Sequence, residues 1–186
     1  MNENENIRSG KRGLAVMVVA ALGASCATQP REKAPVNEAE ACTALKSVIA
    51  AAPHGFDAVK RRPSQHALGE RWEAQGILPR TTCEVLKWAA GYSHYLCMWN
   101  PANEAAAKQD FEEGKRVVGA CLGDAWKMTE EPAKTGRMAV YAAPQTETRV
   151  SLRFFSDPRG YRTSWQTSLI VGDKLKDSGL LYQPTP

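Results

Sequence analysis

The segments "TCEVLKWA" and "SHYLCMW" constrain this chain more than any other feature, because each carries a cysteine and a short turn separates them. Both alternate in the manner of half-buried strands, and Ala90-Gly91-Tyr92 between them reads as a hairpin loop. A turn centred on Ala90 sets Cys83 directly across from Cys97, and Val85 across from Tyr95 on the same face. Opposed residues of an antiparallel pair lie about 4.5–5.5 Å apart, a separation that suits a disulfide. One covalent expectation therefore fixes a hairpin, its register and the residues that face inward.

The other cysteines extend the argument. There are five in all, and without Cys26 the remainder is even: Cys42, Cys83, Cys97 and Cys121. In an exported chain that reads as two disulfides. No C-x-x-C pair occurs, so a zinc site is not expected; the expectation for any other metal or cofactor is none. Asn37 followed by Glu40 has capping-box spacing and opens a helix over 38–52, with Cys42, Leu45, Ile49 and Ala52 on one face. Asn100-Pro101 opens a second helix, whose inner face is Ala107, Phe111, Gly114, Val118 and Cys121, with Gly123 as its stop. Cys121 near the end of the second helix would then join Cys42 near the start of the first. Closing so long a loop stabilises by about 4 kcal/mol in the chain-entropy picture.

The rest reads as strand and loop. "ERWEAQGIL" precedes the hairpin as a third strand, while Lys60-Arg61-Arg62 before Pro63 reads as a solvated loop. After the second helix come "MAVYAA", "TRVSLRFF" and "YRTSWQTSLIV", the last two joined through the turn signal "DPRG". The expected fold is α+β, two helices packed on an antiparallel sheet, order α-β-β-β-α-β-β-β, stapled by two disulfides. That order resembles the topology of type III secretion chaperone-like domains, which implies one layer of helices on one sheet and carries no function with it.

The first 25 residues are of a different character. Arg8, Lys11 and Arg12 precede the apolar run "GLAVMVVAALGA", which small residues follow, the layout of a secretory signal. Twelve such residues rise only about 18 Å as a helix, too short to span a bilayer. Gly23-Ala24-Ser25-Cys26 resembles the lipobox of bacterial lipoproteins, with Gly23 where that pattern has Leu. The resemblance implies acylation of Cys26, as by palmitate; cleavage after Ala27 is the alternative. The expected organisation is a signal peptide over 1–25, a lipidated tether over 26–36, one domain over 37–174 and a tail over 175–186. The expected location is the periplasmic side of a bacterial envelope, on the outer rather than the inner membrane, anchored by an N-terminal lipid.

Chemistry is sparse. The net charge is +4 and the basic residues are dispersed, which excludes a nucleic-acid footprint. Only His54, His66 and His94 are present, and Ser93 beside His94 on a strand points to the opposite face. His66 and Glu70 lack a third metal ligand. Asp110, Glu112 and Glu113 read as the salt-bridged outer face of the second helix, and Glu130-Glu131 as a loop beside Pro132. No residue is assigned a catalytic role. Trp88, Tyr92, Trp99, Phe155 and Tyr182 lie off the inward stripes or at their edges, and aromatic residues are enriched at interfaces. The expected function is non-catalytic binding of another exported protein, as an adaptor, immunity protein or inhibitor. The alternatives are an envelope-polymer hydrolase using carboxylates or a histidine, and a structural domain without a ligand.

Overall fold

A computed structural model describes residues 37–64, 70–88, 91–133, 135–157 and 164–173. In chain order the elements are α1 (Glu38–Ala51), β1 (Lys60–Ser64), β2 (Glu70–Ala74), β3 (Thr82–Lys87) and β4 (Ser93–Trp99). They continue with α2 (Glu104–Leu122), β5 (Lys127–Ala133), β6 (Gly136–Ala142), β7 (Thr148–Asp157) and β8 (Ser164–Asp173). The strands form one antiparallel sheet in the order β1-β2-β3-β4-β8-β7-β6-β5. Each helix is thus followed by a four-stranded meander, and the two meanders join where β4 pairs with β8.

The class is α+β with two disulfides, and the expected strand count is corrected. Two strands stand where loops were expected: β1 contains Lys60-Arg61-Arg62 and β5 contains Glu130-Glu131. They are the two rims of the sheet. Rim strands are where charge and proline belong, because an unprotected edge recruits other strands. The helix-plus-three-strand pattern behind the chaperone-like resemblance does not hold.

The hairpin register is as the cysteines require. Cys83 opposes Cys97 and Val85 opposes Tyr95. Cys83 and Cys97 are bonded with Cα atoms 4.1 Å apart, the narrow, non-hydrogen-bonded type of antiparallel pair. The second disulfide joins Cys42 in α1 to Cys121 in α2.

Both helices begin on asparagine caps. Asn37 Oδ1 accepts the Glu40 N–H at 3.4 Å. The cap of α2 is Asn103, not Asn100; its Oδ1 accepts the Ala106 N–H at 2.9 Å. The inner stripe of α1 is Ala41, Leu45, Val48 and Ala51. Leu45 stands as expected and Ala52 is buried just beyond the helix. Ala41 and Val48, however, take the places expected of Cys42 and Ile49, so that Cys42 lies at the rim facing α2. On α2 the expected inner residues Ala107, Phe111, Gly114, Val118 and Cys121 are all buried. Gly114 permits close approach to the sheet: a Cβ there would lie 3.1 Å from Leu152 Cδ2.

Register divides the sheet into two faces. Trp72, Val85, Tyr95, Val171, Val150 and Tyr141 form one row across it, and Cys83, Cys97, Leu169, Leu152 and Ala139 the next. This first face meets α2, and α1 packs mainly on α2 and the same core. Thr167 Oγ1 donates to the Ala107 carbonyl at 3.0 Å, and Tyr141 Oη to that of Lys115 at 2.8 Å, tying β8 and β6 to α2. The second face carries Leu86, His94, Leu96, Met98, Ser168, Ile170, Ser151 and Arg153.

Candidate binding surface at the β3–β4 hairpin

The hairpin ends in a small aromatic cluster whose geometry follows from the register. Trp88 and Tyr92 close the turn, with the Trp88 N–H donating to the Tyr92 carbonyl at 3.0 Å. Trp88, Tyr92 and His94 are alternate residues of the second face, so their rings meet. Tyr92 meets His94 edge-on at 5.3 Å between centroids and lies 6.4 Å from Trp88. The Trp88 indole Nε1–H donates to His94 Nδ1 at 3.1 Å. An accepted hydrogen bond on Nδ1 places the proton of the neutral ring on Nε2.

His94 is fully buried, and burial pushes its pKa down to about 4; the backbone and carboxylate of Asp173 oppose that shift. Gly172 lies against the ring. A Cβ there would sit 2.4 Å from His94 Cδ2, so no larger residue fits without moving the imidazole. His94 is therefore a neutral positioning residue. Its Nδ1 holds the indole, and the staple between Cys83 and Cys97 holds the strands that carry both.

Trp99 and Phe155 are not gathered here. Trp99 shares the parity of Cys97 and is buried on the first face at 4% exposure, a correction to its place in an exposed patch. The reason is plain in register: Trp99 opposes Thr167, beneath α2. Phe155 is half-buried on the second face with the Arg153 guanidinium 4.6 Å above its ring. It pairs with Gln166, whereas His94 neighbours Gly172, so about 20 Å of β8 separates Phe155 from the hairpin cluster. Tyr182, Cys26 and His66 lie outside the described residues.

No family model matches this sequence, and no curated protein or solved structure resembles it significantly.

Of the candidate carboxylates, Asp110, Glu112, Glu130 and Glu70 are held in ion pairs. Asp110 is buried on the inner side of α2 and bonded to Arg80 at 2.9 Å, a correction to its expected outer-face position. Glu130 accepts from Lys115 at 2.9 Å and also pairs with Arg137; Glu112 pairs with Lys115 at 2.7 Å. These cations hold Glu130 below the usual carboxylate range, the Lys115 hydrogen bond contributing most. Glu70 pairs with Lys87 at 3.1 Å. Among the described residues no three His, Cys, Asp or Glu side chains converge on a point that would hold a metal ion.

Between α2 and β5–β6 runs a groove of about 430 Å³, lined by Lys115, Arg116, Gly119, Trp126, Met128 and Tyr141. Met128 at its mouth is 46% exposed. The groove's signal in the sequence was hidden because β5 did not read as a strand.

Proposed function

We propose that this protein is exported, held at the envelope by a lipid on Cys26, and binds another exported protein through the Trp88–Tyr92 end of the β3–β4 hairpin without catalysing a reaction. The observation that carries the reading is the indole bond from Trp88 to a buried, neutral His94, in a hairpin that a disulfide already holds rigid. Two aromatic rings fixed in advance lose little side-chain freedom on docking, which is where binding surfaces gain affinity. Four cysteines joined in two disulfides are compatible with export, and the remaining cysteine is Cys26. No helix of the described residues is long and apolar enough to cross a membrane; the attachment proposed is the lipid on Cys26.

The test is photo-crosslinking in intact cells with a reactive aromatic analogue at position 92, followed by mass spectrometry of envelope fractions. One protein should be recovered reproducibly, and Trp88→Ala should remove it while the protein stays folded. Cys26→Ser should leave the domain folded but free of the membrane fraction. A crosslink unaffected by Trp88→Ala would rule out the hairpin as the contact.

A further inference from the structure

The strand β5 forms one rim of the sheet and pairs with β6 alone among the described strands. Pair type alternates along and across an antiparallel sheet, so the narrow, non-hydrogen-bonded pair of Cys83 and Cys97 sets the type everywhere else. Carried through Leu169, Leu152 and Ala139, the alternation reaches Glu130 with its N–H and C=O pointing away from β6. Met128 shares that parity. So does Pro132, whose missing N–H therefore costs the sheet nothing. Among the described residues the outward edge thus offers two complete donor–acceptor sets, on Met128 and Glu130, and ends at Pro132.

The side chains on this edge are self-complementary. Lys127, Thr129 and Glu131 are exposed along one face of β5. Lys127 and Glu131 stand about 13 Å apart along the strand, too far to pair with each other. Opposed antiparallel to a second β5 with Thr129 on the two-fold axis, Lys127 of each copy faces Glu131 of the other. In that same register the outward groups of Met128 face those of Glu130. Met128, the large hydrophobic residue most exposed among those described, then lies diagonal to its own copy at about 7–8 Å, within reach of long side chains.

We propose that a second copy of this chain docks along β5, so that the two sheets continue into one another across a two-fold axis at Thr129. A strand pair this short buries less than about 1,200 Å², the class of weak, reversible interfaces. The inference is independent of the hairpin surface at β3–β4 and of its partner.

Cysteine crosslinking of the full-length protein reads the register directly. Opposed residues of a non-hydrogen-bonded pair have Cα atoms about 4.5 Å apart, so Thr129→Cys alone should give a covalent dimer under mild oxidation, above the level of the parent protein. Lys127→Cys and Glu131→Cys should each crosslink poorly alone and well when mixed. Sedimentation velocity in mild detergent supplies the second readout. Lys127→Glu and Glu131→Lys should each weaken association by about tenfold, and the double reversal should restore it. No Thr129→Cys dimer, equal crosslinking from all three positions, or association indifferent to the single reversals would each overturn the proposal. The first is also the result expected if the edge binds an extended peptide of another protein.

Discussion

The β3–β4 and β5–β6 hairpins share one sheet and are held by different physics. The first lies inside the sheet, with β2 on one side and β8 on the other, and a covalent bond pins its register. The second ends the sheet, and its anchors are charges: Glu130 gathers Lys115 from α2 and Arg137 from β6. The interior hairpin holds its aromatic rings against a buried histidine. The rim hairpin keeps a continuous register from Lys127 to Ala133 and pairs on one side only among the described residues. A covalent bond fixes the register of the interior hairpin, whereas charge and proline mark the rim, where pairing ends.

Removing the covalent pin should produce the largest difference between the two. Cys83→Ser with Cys97→Ser is expected to lower the unfolding free energy by about 3 kcal/mol, from the loop the bond closes. Urea denaturation measures the loss, and hydrogen exchange should show it concentrated in β3–β4 rather than in β5–β6.

Acid should act next, and on the same hairpin. His94 titrates near 4 when folded against about 6.5 when unfolded. Between those values the unfolded chain binds a proton that the folded one does not. Stability is therefore full above about pH 6.5, declines as pH falls, and levels off below about 4, a loss on the order of 3 kcal/mol. Denaturation midpoints across that window should follow this course, and His94→Phe should flatten it. A slope unchanged by His94→Phe would place the acid sensitivity elsewhere.

The smallest effect is expected at the rim. Arg137→Ala removes one partner of Glu130, but Arg137 is half exposed and Lys115 remains. Partly exposed pairs are worth about 1 kcal/mol or less and are screened by salt. The thermal midpoint should fall by only a few degrees, and the difference should shrink in high salt.

The same contrast decides what could be read from the sequence. The interior hairpin was legible because alternation and two cysteines named a single register. The helices were legible from caps and period, although Asn103 provides the cap expected of Asn100, and two of the four residues expected inside α1 lie at its rim. β1 and β5 were not legible. Their charges and prolines resemble loop signals, and only the outward position of Pro63 and Pro132 reconciles them with a strand. Trp99 is a different kind of miss: its parity with Cys97 already assigned it to the inward face. The bond from Trp88 to His94 could not be foreseen, because it depends on where an indole turns outside the strand proper.

The link between Cys42 and Cys121 bears on how the domain answers a pull on its N-terminal end. Force arriving at Asn37 can unwind only the first turn of α1 before it reaches Cys42. From there the load passes through a covalent bond into the last turn of α2, and from α2 into the middle of the sheet through Gly114 and Thr167. The first helix is thereby spared from peeling away, and tension is shared by β7 and β8, the longest strands. A domain wired in this way resists being dragged by its leading end better than the length of that first helix would suggest.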